Sequence, residues 1–138
     1  MANWTAKFGE AARPDLERGE RVRAAVFVVP AATSMTATTL SAVGRGGPIA
    51  ASMPIAASVL GLTDRRLLVY GHSSLADKPK DLRFELPLDR LRSVDVEERS
   101  ATCRFVLRFG DGSSSVYEAP RIVNDAASFA AAAELQPA

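Results

Sequence analysis

Only a few residues of this chain are of types that perform covalent or metal chemistry. The sequence has one histidine, His72, and one cysteine, Cys103. Nucleophilic catalysis needs a serine or cysteine beside a base, whereas Cys103 alternates with core-type residues and is interpreted as a small buried hydrophobic residue. No Cys, Asp or Glu stands at ligand spacing from His72, so the sequence predicts no metal site. We therefore expect no enzyme, no catalytic residue and no cofactor.

The acidic residues also have structural interpretations. Asp111 precedes Gly112, and this pattern is typical of a hairpin loop in which the glycine adopts the left-handed conformation. Asp95, Glu97 and Glu98 fall on the solvent side and at the end of an expected strand, without an apolar pocket that would make one of them a general acid. None of these carboxyl groups is predicted to act in catalysis.

Two groups of basic residues are candidates for anion binding. Arg65 and Arg66 lie side by side in the stretch LTDRRLLVY, where strand pairing places them at a hairpin tip, and a structural turn is preferred to a binding role. Arg45, Lys78 and Lys80 fall on two connections that are expected to leave the sheet at its other end. There they could converge on a phosphate, so these three are the candidate lipid- or anion-binding residues.

The two connections that carry these residues differ in character. Segment 31–57 is rich in Ala, Ser, Thr and Gly, lacks the Lys-Ser/Thr of a P-loop, and is expected either to fold over the core or to be mobile. The uncharged stretch 49–62 is shorter than the roughly 20 residues that span a bilayer, and we interpret it as buried or interfacial. Connection 73–82 is polar, with the Lys-Pro-Lys triplet at 78–80 as an exposed turn.

Alternating apolar and polar residues predict antiparallel strands. In the first hairpin Leu62 faces Leu67 with either loop length, which leaves one apolar face. In the last hairpin a three-residue loop pairs Phe105 with Tyr117, whereas a two-residue Asp-Gly turn would set Phe105 against Glu118. Seven strands are expected, at 20–29, 58–63, 66–72, 83–88, 92–98, 102–109 and 113–119.

Helices are predicted at both ends of the sequence. Trp4, Phe8 and Ala11 recur at helical spacing, and Pro14 is expected to end that first helix. Its apolar residues either patch the outside of the main domain or contact a membrane surface.

The second predicted helix covers 124–136. Asn124 is a suitable N-cap, and the alanine run that follows has high helix propensity. Phe129 would then cover the apolar mouth of the sheet.

Composition and charge describe an ordinary soluble domain. The chain has 138 residues, is 47% hydrophobic, and carries a net charge of +1 from 17 basic and 16 acidic residues. The near-neutral charge argues against nucleic-acid binding. A lone cysteine favours a reducing compartment, and no signal peptide or transmembrane segment is predicted. We expect a cytoplasmic protein, or one peripheral to the membrane.

Three sequence runs carry a resemblance to a known family. They are LTDRRLLVY, FELPLDRLRSVDVE and FVLRFGDGSSSVYEA, and the expected C-terminal helix follows them. Together they resemble the bacterial pleckstrin-homology-like domains, akin to the GRAM group, whose hairpin carries a similar Leu-Thr-x-x-Arg-Leu pattern. The resemblance covers residues 18–136, although segment 31–57 is longer than the usual first connection.

The resemblance implies a fold and a class of function. The fold is mainly β (α+β), a seven-stranded antiparallel bent sheet or small barrel capped by a C-terminal helix. Residues 1–19 form an N-terminal helix and connection, and residues 20–138 form the domain, with segment 31–57 as an insertion. Such domains serve as binding modules and scaffolds. We expect a non-catalytic module for protein–protein interaction or self-assembly; the alternative is a peripheral membrane module that binds anionic lipid head groups.

Overall fold

Seven antiparallel strands in one bent sheet make up most of the fold, as the sequence predicts. The computed structural model describes residues 4–30, 48–54, 56–98, 101–120, 129 and 131–133. The strands are β1 (Val22–Pro30), β2 (Ser58–Thr63), β3 (Arg66–Ser73), β4 (Lys78–Pro87), β5 (Leu91–Glu98), β6 (Thr102–Phe109) and β7 (Ser114–Pro120).

Among the described residues, three α-helical segments accompany the sheet. Helix α1 spans Trp4–Ala12 and continues into a 3₁₀ turn at Arg13–Asp15, where the predicted Pro14 stop lies. Helix α2 is a short segment, Pro48–Ser52. The C-terminal helix α3 is described at Phe129 and at 131–133, and the predicted cap Asn124 lies outside the described residues.

The strand order is β4-β3-β2-β1-β7-β6-β5. The bend falls on β1, which pairs with β2 over most of its length and with β7 only at Val29 and Pro30. Because β4 and β5 stand at opposite ends of this order, the sheet is a bent and open one rather than a closed barrel.

Both predicted hairpin registers are confirmed. Leu62 pairs with Leu67 in the β2–β3 hairpin, and Phe105 pairs with Tyr117 in the β6–β7 hairpin. Gly112 has a φ of 90°, the left-handed conformation that a side chain would disfavour, so the three-residue loop is the one formed.

The main core lies inside the bend of the sheet. Inward residues of every strand contribute to it, and Ile49 of α2 and Met53, which follows α2, are buried there too. Phe129 of α3 is fully buried, with its ring centroid 5.7 Å from that of Phe105. The C-terminal helix therefore covers the apolar interior as expected.

A second, smaller core lies on the outer face of the sheet, beneath α1. It contains Trp4, Phe8 and Ala12, at a strict four-residue spacing. Ala11, which the sequence places at helical spacing with Trp4 and Phe8, is only partly buried, whereas Ala12, four positions after Phe8, is fully buried. The helix thus patches the outside of the sheet.

The turn between β6 and β7 also positions α2. Asp111 Oδ1 accepts hydrogen bonds from the backbone amide and hydroxyl of Ser113, 2.9 and 2.5 Å away. Asp111 Oδ2 accepts one from the Ile49 amide at 3.1 Å. The interpretation of Asp111 as a turn residue is confirmed, and its second oxygen satisfies an amide at the start of α2.

Two predicted strand boundaries are wrong by two residues or more, and several others differ by one residue. β1 begins at Val22 rather than at residue 20, because the Glu20 amide donates a hydrogen bond to the Glu17 carbonyl, 2.9 Å away, and so closes a turn. β4 begins at Lys78 rather than at residue 83, so the Lys-Pro-Lys triplet is strand and not an exposed turn. Pro79 is buried opposite His72, and an edge strand tolerates a residue without an amide hydrogen.

Candidate interaction edge of the sheet

The arginine pair at the β2–β3 tip forms ion pairs with the N-terminal connection. Arg66 makes a bidentate contact with Glu20, with Nε 3.0 Å from Oε2 and the second nitrogen 2.7 Å from Oε1. The Glu20 side chain is 0% exposed and also accepts a hydrogen bond from the Thr63 hydroxyl at 2.6 Å. Burial alone raises the pKa of Glu20, but the hydrogen bonds from Arg66, Thr63 and the Glu17 amide outweigh it and lower the pKa to about 2.

The neighbouring groups at this tip are similarly occupied. Arg65 forms an ion pair with Glu17 at 3.1 Å. Thr63 Oγ1 accepts the amides of Arg65 and Arg66, whereas Asp64 accepts the amide of Arg21. The side chain that accepts the amide hydrogens of the turn is therefore that of Thr63. Both arginines form ion pairs with carboxylates of the protein itself. Their arrangement agrees with a structural turn rather than an anion site.

The structure describes two of the three candidate anion-binding residues. Arg45 lies outside the described residues. Lys78 and Lys80 lie on β4, both exposed, on either side of the buried Pro79, and neither forms an ion pair with a described residue. Ser73 pairs with Lys78, so the lysines start beside the β3–β4 turn.

The single histidine belongs to an aromatic cluster under α1. Its ring centroid lies 4.5 Å from that of Phe27 and 5.7 Å from that of Trp4. His72 Nε2 lies 3.0 Å from Asp77 Oδ1, and Lys7 Nζ lies 3.5 Å from Asp77 Oδ2 and 4.6 Å from the centre of the Trp4 ring. The hydrogen bond with His72, helped by Lys7, lowers the pKa of Asp77. These contacts join the helix to the β3–β4 turn.

Neither metal chemistry nor membrane spanning is indicated in the part of the chain that the structure describes. Within the described ranges, no three His, Cys, Asp or Glu residues come together in a way that could hold a metal ion. No described helix has the length and apolarity to cross a bilayer.

The two end strands of the sheet differ in how well they could accept another strand. β4 contains two prolines, Pro79 and Pro87, and its pairing with β3 has two register shifts. β5 has no proline, and its pairing with β6 has one shift, near its start at Leu91. Prolines and irregular pairing hinder the addition of a further strand. Among the described residues, β5 is therefore the more regular open edge.

The side chains of β5 alternate between two faces from residue 94 to 97, whereas Glu98 lies opposite the core residue Cys103. Val94 and Val96 lie opposite the core residues Leu107 and Phe105, so they point inward. Asp95 lies on the outer face, where its carboxylate is 56% exposed. The open edge thus has an apolar inner side and a charged outer side.

A shallow cleft of about 100 Å³ adjoins the same edge. Its floor consists of residues 91–95 of β5, and its walls include Leu88 from the preceding 3₁₀ turn and Ala133 from α3. The acidic residues of β5 are visible in the sequence, but this cleft is not. Leu88 and Ala133 meet only in the folded chain, and the absence of proline from β5 was the one sequence signal for the edge.

Fold and edge together define a mainly β domain with an open, proline-free end strand beside a C-terminal helix. Comparison with known proteins adds no identity to this class: no protein-family model matches the chain, and no curated protein matches it.

Proposed function

We propose that this chain is a non-catalytic binding module of pleckstrin-homology-like type, which holds an extended segment of another protein along β5. The observation that carries the proposal is the proline-free open edge with a shallow cleft of mixed polar and apolar lining beside it. An open edge offers unpaired amide and carbonyl groups, and alternate pockets then select side chains. The order of seven strands followed by a helix supports the resemblance to that family.

Each part of the edge has a role in this proposal. The backbone of β5 supplies hydrogen bonds from those alternate residues between Leu91 and Val96 that face the open edge. Leu88, Leu91 and Val94 offer apolar surface to an inward side chain of the added segment. Ala133 also lines the cleft, and its small side chain leaves space for that side chain. A single small apolar side chain suits a cleft of this volume.

A peptide of alternating threonine and valine, matched to β5 in length, tests the strand addition. We expect it to bind the full chain and to slow hydrogen exchange of β5 amides that face the open edge, leaving amides of β4 unchanged. The same peptide, N-methylated at alternate residues, provides the control because it cannot form the ladder. Equal binding of the methylated and unmethylated peptides in both methylation frames would show that the backbone of β5 is not used.

A second candidate function is binding of anionic lipid head groups at Lys78 and Lys80. It is favoured by their exposure on one strand and by the absence of an ion pair to any described residue. Two nearby basic residues weaken it, since Lys7 and Arg83 are already paired with Asp77 and Asp81.

Vesicle co-sedimentation separates the two candidates. Phosphatidylserine vesicles should retain the chain more than phosphatidylcholine vesicles do, and the pair Lys78→Ala/Lys80→Ala should abolish the difference. The control Arg13→Ala/Arg21→Ala removes the same charge from exposed residues at the other end of the sheet. Equal losses from both double variants would indicate general charge attraction instead of a site on β4.

A further inference from the structure

β6, the strand that is already paired with β5, shows what kind of sequence β5 accepts as a partner. In β6, Phe105 and Leu107 point into the core, whereas Arg104, Val106 and Arg108 point outward. β6 pairs with β5 along the whole strand, from Leu91 to Glu98. One edge of β5 therefore already holds a strand with a basic outer side and an apolar inner side.

Charge complementarity on the outer face accompanies that pairing. Asp95 Oδ2 lies 2.7 Å from Arg108 Nε, across the strand diagonal. Glu97 lies directly opposite Arg104 in the register. Opposite charges at such positions stabilise a strand pair, and like charges destabilise it. The outer side of β5 is thus matched to basic partners.

An added strand would meet the same β5 side chains from the other side. The Asp95 carboxylate is 56% exposed, and a carboxylate has acceptor sites for more than one donor, so its contact with Arg108 leaves room for a second cation. On the inner side the added strand would lie next to Val94 and Val96 and the cleft that Ala133 borders.

We infer that the partner of β5 is an extended protein segment that alternates basic residues on its outer side with small or β-branched apolar residues on its inner side. This inference rests on the proposed strand addition and adds the chemistry of the partner. It also separates a foreign partner from a second copy of the chain. A symmetric antiparallel pair of β5 strands would place acidic residues around Asp95 near those of the other copy, which is unfavourable.

Three peptides of the length of β5 test the inference by fluorescence anisotropy with the full chain. Each has valine at alternate positions, and the remaining positions are arginine, threonine or glutamate. We expect the arginine peptide to bind about tenfold more tightly than the glutamate peptide, with the threonine peptide between them, because each opposite-charge pair contributes and each like-charge pair opposes binding. The preference should shrink as salt concentration rises.

Matched variants assign the preference to β5. Asp95→Asn/Glu97→Gln should reduce the ratio between the arginine and glutamate peptides towards one, whereas Asp81→Asn/Glu85→Gln makes the same charge change on β4 and should leave the ratio as it was. If the threonine peptide binds while the arginine and glutamate peptides bind equally, the basic preference is wrong and the strand addition stands. If both variants change the ratio alike, the preference does not come from β5. If no peptide binds, the strand addition itself is wrong.

Discussion

At the level of single residues, the most consequential contact is the one between Glu20 and Arg66. A carboxylate with no solvent exposure is stable in a protein only when hydrogen bonds and an opposite charge replace water. Glu20 receives these from Arg66, Thr63 and the Glu17 amide. The contact fastens the connection after α1 to the tip of the β2–β3 hairpin, 46 residues further along the chain.

This ion pair predicts a loss of stability in acid. Folding lowers the pKa of Glu20 from its ordinary value of 4.5 to about 2. Its contribution is therefore complete above about pH 4.5 and disappears as the pH falls through about 2. We expect the free energy of unfolding to fall by about 3 kcal/mol over that range from this residue alone. Urea unfolding at a series of pH values measures it.

The variant Glu20→Gln is the control for that experiment. It should be less stable at neutral pH, because Arg66 loses its buried counter-charge, and its stability should fall less steeply between pH 4.5 and 2. Other carboxylates, such as those of Asp77 and Asp111, also have lowered pKa values. They contribute to the loss of stability in acid in both the wild-type chain and the variant. An unchanged slope in the variant would contradict the assignment to Glu20.

At the level of elements, the packing of α1 depends on a missing side chain in β2. A Cβ atom on Gly61 would lie 2.1 Å from the Phe8 ring, so the glycine provides the space that the ring fills. The ring also contacts Tyr70 edge to face, with centroids 5.2 Å apart. The outer face of the sheet is thus shaped to receive this one aromatic residue.

Gly61→Ala should therefore disturb the helix more than the sheet. We expect a loss of about 1–3 kcal/mol in the free energy of unfolding, the usual cost of overpacking. Because Trp4 is the only tryptophan and is 4% exposed, its fluorescence should shift towards that of a solvated indole if the helix is displaced.

Two comparisons make this prediction specific. Gly71→Ala is the matched change in the next strand, where the nearest atoms belong to the exposed side chains of Asp81 and Arg83, which can move, so its effect should be small. In a Phe8→Ala background, Gly61→Ala should lose most of its effect because the clash is gone. Equal effects with and without the Phe8 ring would refute this account of the contact.

The position of α2 depends on the β6–β7 turn, which is a second case of one element depending on another. Asp111→Ala removes the acceptor of the Ile49 amide, and we expect that amide to exchange its hydrogen faster. Asp111→Asn keeps one acceptor oxygen and should show a smaller effect. The Phe109 amide, which bonds the Ser113 carbonyl at 2.9 Å, serves as the internal reference. Faster exchange at Phe109 alone would mean that Asp111 supports only the turn.

These elements also show how far a sequence can be interpreted. The strands and both hairpin registers follow from apolar alternation, because a shift by one residue would turn core side chains such as Leu62 and Phe105 outward. The contacts of Glu20 with Arg66 and of Phe8 with Gly61 join residues distant in sequence, and no local pattern indicates them. The start of β4 was missed because Pro79 is typical of a turn, although its alternation with exposed lysines also fits an edge strand. The cleft beside β5 needs Ala133, which approaches the strand only in the folded chain.

At the level of the whole molecule, the two end strands of the described sheet have different features that hinder self-pairing. In β4 these are Pro79, Pro87 and irregular pairing. β5 contains no proline, and the acidic charge around Asp95 opposes the addition of an identical strand. Charged side chains on an edge are a known way to prevent association of identical strands. Under the proposed strand addition, the same acidic charge that opposes a second copy attracts a basic partner segment.

Removal of this charge should therefore cause self-association. We expect the wild-type chain to be monomeric by size-exclusion chromatography with light scattering, and Asp95→Thr/Glu97→Thr to form dimers as protein concentration rises, because threonine has high strand propensity and no charge. Asp81→Thr/Glu85→Thr removes the same charge from β4 and should remain monomeric, since its prolines still hinder pairing. Dimers of both variants would mean that charge protects both edges alike, and monomers of both would mean that the acidic residues of β5 do not prevent its pairing.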